Sequence, residues 1–545
     1  MEQPDKPPSK LKGLKVVSLL TLLSRITGLA RDALMAWLFG AGWILDAFTV
    51  AFRIPNLFRR LFGEGAMAAA FLPEFLKTDE QVGRDAAARL FSGVAWKLLK
   101  ILLAFTVGIE IAIAIPYLTL NMSDRSTLLC ELCLILMPYL LLICMAGLYA
   151  AALNGVHHFF YPALAPVLLN LIWLAGGLLA ANQLATGEAE ARTISAFILV
   201  GGMLQLGLLV HKLRKFGIHI QSPSNNAETI SAQTMKVFRA MGPVLLGLSI
   251  AQVNGLFDSL LAWGLSSGNL DGIDLLSRFR LPEGTAGALY LGQRLFQFPL
   301  GVFAVALGTV LFPRFARHAQ AGDHTELSRD VVHGLQLVFT VGIPASVGLW
   351  FMAAPITDLL FRHGQFDATA AGMTSSMIAA HGLGVWVFSG LLIVNRVFYA
   401  ANDQVTPMRQ GLICVGMNIV FDIVLLPVLG STALPIASIL AAVFQLGLAL
   451  EVLRKRFLII GRNAFVPLLW RIAICTLIMN AVGLATLYAT STISEQLGEL
   501  PYRMIKVVLP VALSAATYAG GLLICGISPL ALLREPHLQK QGLRP

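Results

Sequence analysis

The chain has 545 residues, 57% of them hydrophobic and 13% charged. A soluble globular domain carries roughly 25% charged residues, so about half the usual solvated surface is missing and a soluble core is excluded. The net charge of +10 sits in short segments between apolar blocks, where lysine and arginine set membrane orientation and meet anionic lipid rather than nucleic acid.

The apolar residues fall in blocks of about 20, the length that crosses a ~30 Å hydrocarbon core as helix. In chain order they are 14–39, 44–76 (interrupted), 91–116, 128–153, 159–181, 194–211 and 240–264, then 286–312, 331–352, 370–400, 408–427, 433–453, 464–488 and 504–526. That makes fourteen spans. The first follows Lys6, Lys10, Lys12 and Lys15 as a signal peptide would, but it is too long, holds Arg25 and Arg31, and lacks a small-residue cleavage site. With the N-terminus inside, alternate loops hold Lys77, Arg84, Arg89 and Lys97, then Lys212, Arg214, Lys215, Lys236 and Arg239. The same side collects Arg314, Arg317 and Arg329, and later Arg454, Lys455 and Arg456. This asymmetry places both termini in the cytoplasm. The six cysteines lie in or beside apolar blocks and read as small core residues; His157-His158 reads as a solvated loop pair.

The sequence repeats itself. Ala70-Phe71-Leu72-Pro73-Glu74-Phe75 closes span two and Val310-Leu311-Phe312-Pro313-Arg314-Phe315 closes span eight; upstream lie Arg53 with Pro55 and Arg294 with Pro299. Asn154 and Asn170 are echoed by Asn402 and Asn418 at nearly the same offset. The expected architecture is an all-α polytopic membrane protein of about fourteen transmembrane helices. It has an N-lobe, 1–230 (spans 1–6), a C-lobe, 231–460 (spans 7–12), and an addition, 461–545 (spans 13 and 14 and a cytoplasmic C-terminus). Six is even, so the lobes are parallel repeats about an axis along the membrane normal, as in many transporters.

The first two spans concentrate charge: Arg25, Arg31, Asp32, Asp46, Arg53, Arg59, Arg60 and Glu64. A charge at mid-membrane costs at least ~2.5–3.5 kcal/mol on insertion scales, so these groups face protein or water. Asp46, Thr49, Arg53, Asn56, Arg60 and Glu64 advance in steps of three and four along one helix stripe; Pro55 kinks it. In span one, Arg25 and Asp32 share a face two turns apart. Helix-to-helix salt bridges are the plainer reading. Yet arginines outnumber acids, and Arg294 adds one at the duplicated position, which favours an anionic ligand; the guanidinium fork suits phosphate and keeps its charge in a low dielectric.

A second constellation has the opposite sign. Asp258, Asn418, Asp422 and Ser438 offer oxygen donors that either coordinate a cation such as sodium or reach a cavity arginine. No ATP-binding GxxxxGK[ST] loop, HExxH or GxSxG is present. The outer acids Asp271, Asp274 and Glu283 are too loosely spaced for a membrane-embedded enzyme, so no enzyme activity, resident cofactor or nucleic-acid partner is expected.

The run Ser24-Arg25-Ile26-Thr27-Gly28-Leu29-Ala30-Arg31-Asp32, with Asp46-Ala47-Phe48 and Arg53-Ile54-Pro55-Asn56-Leu57-Phe58-Arg59-Arg60, resembles the MurJ (MviN) family of lipid II flippases. These belong to the multidrug/oligosaccharidyl-lipid/polysaccharide exporter superfamily. The resemblance continues through Met241-Gly242-Pro243, Arg294-Leu295 and Gly308-Thr309 and spans essentially the whole chain. It implies two six-helix lobes around a cationic cavity, a polyprenyl-tail groove on spans 13 and 14, and a bacterial inner-membrane location. The implied partner is an undecaprenyl-pyrophosphate-linked peptidoglycan precursor, handled among membrane lipids by a monomer through alternating access. Family cavity residues fall on Arg25, Arg31, Asp46, Arg59 and Arg294; Gln293 and Gln297 depart from acids common in relatives. A flippase for another polysaccharide lipid or a multidrug extruder on the same fold is the alternative, though an extruder of cations would want an apolar, acidic cavity.

Overall fold

The computed structural model describes residues 10–184, 186–221, 227–266, 278–457, 462–492 and 498–527. Among these the chain is helical, and each of the fourteen expected spans coincides with one helix or one broken helix. The first half comprises α1 (Lys10–Phe39), α2 (Trp43–Phe58), α3 (Leu72–Gln81), α4 (Arg84–Thr119), α5 (Asp124–Gly155), α6 (Phe160–Gln183), α7 (Gly187–Arg214) and α8 (Ala227–Gly264). The second half comprises α9 (Thr285–Pro299), α10 (Val305–Gln320), α11 (His324–Phe351), α12 (Ala353–Leu360), α13 (Ala368–Gly382) and α14 (Val385–Ala400). It continues with α15 (Val405–Leu429), α16 (Ala433–Phe457), α17 (Arg462–Ser491) and α18 (Glu499–Ile524). Among the described residues nine stretches are long and apolar enough to cross a membrane, and the α13–α14 pair, bent by 42°, adds a tenth. One of the nine, Val405–Phe457, holds two helices, α15 and α16, turned at Gly430 (φ +56°).

The interruption expected in span two is a π-helical segment, Arg59–Phe71, between α2 and α3. Pro55 has no N–H for the carbonyl of Ala51 and its ring crowds that turn, so the ladder loosens just upstream. The span holding the duplicated motif has the same device: α9 ends at Pro299 and a π segment, Leu300–Ala304, leads into α10. Long π runs are rare and cluster at functional sites.

The chain forms two compact units, Met1–Asp271 with Gly364–Phe366, and Gly272–His363 with Asp367–Pro545. In the first, α5 is the most buried span, and α6 and α7 close tightly. A Cβ on Gly176 would stand 2.4 Å from Phe197 Cγ; small residues at such crossings let membrane helices approach. The eighth helix, expected as the first span of the C-lobe, packs in the first unit: Lys236 Nζ pairs with Glu74 at 2.7 Å, and Arg53 and Arg60 reach its polar face. In the second unit the core gathers α10, α11, α14 and α16 with the start of α17. The C-terminal pair is sewn on: Tyr518 OH donates to the Thr340 carbonyl at 2.6 Å and Ser514 Oγ to the Met479 carbonyl.

All six cysteines are free, and Cys133, Cys144 and Cys475 are buried. His158 differs from its expectation. It is half-buried, stacked on Tyr161 at 5.2 Å and near Phe216. Burial, and then Lys212, push its pKa down. Tyr161, three residues on, and Phe216, from a distant part of the chain, withdraw it from solvent.

Candidate functional site

The charged groups of α1 and α2 are organised by a wall of aromatic rings. Trp173 of α6 lies against Phe52 at 4.8 Å and Phe48 at 5.6 Å, and Phe52 faces Tyr139 of α5. The Arg31 guanidinium stacks over Trp173, 4.1 Å from the ring. Its Nη2 pairs with Asp32 Oδ1 at 2.7 Å and its Nη1 donates to Asn170 Oδ1 at 3.1 Å. Asn170 Nδ2 in turn donates to the Ser24 carbonyl and to Thr27 Oγ1. Arg31 and Asp32 are only 5% and 2% exposed, so the pair is a low-dielectric one whose members depend on each other. Asp32 pairs with its neighbour Arg31, while Arg25, on the face that helical spacing shares with Asp32, is exposed on α1.

Asp46 and Thr49 are buried, while Arg53, Asn56, Arg59 and Arg60 are partly exposed. Arg53 Nη1 donates to Ser259 Oγ on α8 at 2.6 Å, and Gly255 sits so close that a Cβ there would lie 2.6 Å from Arg53 Nη2. Arg60 Nη1 donates to Gln252 Oε1 on the same helix at 3.3 Å. Arg59 Nε donates to Asn56 Oδ1, one turn back, at 3.0 Å. The Glu64 side chain, like Asp271 and Asp274, lies outside the described residues.

In the second unit Arg294 is partly exposed on α9, between Gln293 and Gln297 and beside buried Phe296, which packs on His381 and Phe388. Arg396 of α14 escaped the sequence reading. It stands in an apolar run, the signal that picked out Arg294, and its Nε would lie 2.7 Å from a Cβ on Gly308 of α10.

Of the cation-site candidates, Asn418 and Asp422 are fully buried one turn apart on α15, and Asn418 Nδ2 donates to Asp422 Oδ2 at 2.8 Å. Ser438 is partly buried on α16. Asp258, 2% exposed on α8, belongs to the first unit. Among the described residues no three His, Cys, Asp or Glu side chains converge as a metal would require. The oxygen donors present suit a hard cation better than a soft, thiolate-preferring metal.

The family model for lipid II flippase MurJ matches residues 35–505. A lipid II flippase MurJ of Burkholderia cenocepacia is 31% identical over 455 residues, 82% of this chain and 84% of that protein. Among solved structures, a lipid II flippase MurJ in an inward closed conformation superposes with a TM-score of 0.70 at 22% identity, covering 93% of this chain and 99% of that one. An inward-facing MATE family transporter of the MOP superfamily gives a TM-score of 0.64 at 12% identity, over 81% and 98%. The fold is thus shared with both kinds of carrier.

Proposed function

The chain belongs to the lipid II flippase MurJ family, and we propose that it carries the undecaprenyl-pyrophosphate-linked peptidoglycan precursor from the cytoplasmic to the outer leaflet of the bacterial inner membrane, as a monomer, by alternating access. The observation that carries this reading is the arginine stripe of α1 and α2. Its guanidinium groups stand inside spans, where Arg31 stacks on Trp173 of the aromatic wall and Arg53 reaches Ser259. A drug extruder taking cations needs the opposite charge.

In this proposal Arg25, Arg53, Arg59 and Arg294 receive the pyrophosphate and sugar–peptide headgroup, as bidentate donors that stay protonated in a dry site. Arg31 presents its charge from a fixed position set by Asp32, Asn170 and Trp173, and Asp46 balances the stripe. The polyprenyl tail stays in hydrocarbon alongside α17 and α18, because drawing it into an aqueous path forfeits ~0.8 kcal/mol per CH₂. Asn418, Asp422 and Ser438 of the second unit serve the return step by binding sodium; Asp258, in the first unit, is not assigned to that site. Membrane potential acts on the same step, at ~2.3 kcal/mol per charge per 100 mV.

Proteoliposomes test both parts. Lipid II in the inner leaflet should move outward only when the chain is present, and faster with a sodium gradient than with potassium. No movement overturns the flippase reading; movement indifferent to the cation overturns the coupling.

We further propose that both termini are cytoplasmic. Single cysteines replacing Lys212 or Lys215 should react with an impermeant maleimide in inverted vesicles and not in intact cells. Labelling in intact cells would reverse the orientation.

A further inference from the structure

At the start of α18 the second unit has a small cavity of about 210 Å³, bounded by α12, the turn after it and the first two turns of α18. Sites for drug-sized ligands run to roughly 300–1,000 Å³, so this one suits a single headgroup. Five charged side chains line it: Asp358, Arg362, Glu499, Arg503 and Lys506. Three cations against two carboxylates leave one positive charge unmatched. Arg503 builds the wall rather than the ligand surface. Its Nη1 donates to the carbonyls of Asp358 and Arg362 at 2.8 and 2.7 Å, and its Nη2 pairs with Glu499. Those bonds fix the turn after α12 against α18 and hold the cavity open. The other two cations have donors to spare. Arg362 reaches Asp358 only at 3.6 Å and is 44% exposed. Lys506 Nζ stands 5.5 Å from the centre of the Tyr502 ring and has no ion pair among the described residues.

The cavity opens onto a particular surface. Tyr502, Lys506, Leu509 and Leu513 follow at i, i+4, i+7 and i+11, one stripe of α18, and Leu509 and Leu513 are exposed. A tyrosine and a lysine above an exposed apolar stripe mark the membrane–water boundary. An anion at that depth is a lipid phosphate, with its chains running down the apolar stripe. We propose that Arg362 and Lys506 bind the phosphate of a membrane lipid whose chains lie along α18. The site shares no residue with the arginines of α1, α2 and α9 and does not depend on their role; the leaflet, the outer one, rests on the orientation proposed above.

Two lipids carry this chemistry, a resident anionic phospholipid and a polyprenyl pyrophosphate delivered by transport, and melting of the purified full-length chain in neutral detergent separates them. Dioctanoyl phosphatidylglycerol or farnesyl pyrophosphate should raise the wild-type melting temperature by about 2 °C or more beyond dioctanoylglycerol, which lacks the phosphate. Lys506→Gln should lose most of that difference, and Arg362→Gln/Lys506→Gln all of it. A larger shift with phosphatidylglycerol identifies a resident lipid, and a larger shift with the pyrophosphate identifies the transported one. Lys506→Gln breaks no ion pair, so it reports on the site even if the double variant folds poorly. Shifts of equal size in wild type and Lys506→Gln overturn the proposal, as does a full shift with inorganic phosphate alone. Neither failure bears on whether the chain transports lipid II.

Discussion

Arg59→Ala and Arg294→Ala are expected to abolish transport while the protein stays in the membrane at its normal level; Arg31→Ala is expected to lose both. The difference follows from what each guanidinium holds. Arg59 is partly exposed and its bond to Asn56 lies within one stretch of chain, so losing that bond unties no helix from another. Arg31 ties α1 to α6 through Asn170 and neutralises Asp32 in a site almost closed to solvent. Deleting one member of such a pair strands the other charge, at a cost of about 3–5 kcal/mol. For the headgroup contacts, losing one partner of a desolvated charged pair costs about 2 kcal/mol or more, roughly a 30-fold fall in affinity or worse. Complementation of a depleted strain, with immunoblots of the membrane fraction, reads both quantities. Arg59→Lys should rescue in part, since an ammonium keeps the charge without the fork. Growth supported by Arg59→Ala and Arg294→Ala proteins would sink the headgroup reading; Arg31→Ala at full abundance would sink the pairing one.

How much was legible beforehand depended on the range of the physics involved. Span length and hydropathy are local, so each of the fourteen spans found its helix; α12, at eight residues, was too short to register. The breaks after Pro55 and Pro299 were signalled by the prolines, but not that the backbone would continue as π-helix, because that choice depends on packing. Helical spacing puts Arg25 and Asp32 on one face of α1 but does not say where Asp32 pairs, because adjacent residues on a helix do not face each other. The long Arg31 side chain instead folds beside its neighbour, held there by Trp173 and Asn170, which come from 140 residues further on. In the sequence Asn170 stands out only as a mark of the repeat. The placement of α8 in the first unit was hidden for the same reason: Arg53–Ser259 and Arg60–Gln252 join residues about 200 positions apart.

The Arg53–Ser259 contact yields the second large expected effect. Gly255→Val should lower transport roughly 10- to 100-fold, as Arg53→Ala does, with melting temperature and membrane level unchanged. The three atoms nearest a new Cβ at Gly255 all belong to the Arg53 guanidinium end, the first at 2.6 Å. That end is flexible, so the clash is relieved by moving the guanidinium rather than the helix. The movement breaks the 2.6 Å bond to Ser259, and a hydrogen bond to a charged group is worth about 1.5–3 kcal/mol, which sets the expected range. Gly247→Val is the matched control, because Gly247 lies two turns earlier on α8, is exposed, and a Cβ there meets nothing within 4 Å. Initial rates of lipid II movement in proteoliposomes, normalised to reconstituted protein, make the comparison. If Gly255→Val transports like wild type while Arg53→Ala does not, the charge of Arg53 matters but its seat on α8 does not. If Gly247→Val fails equally, bulk on α8 is the cause and the guanidinium is not.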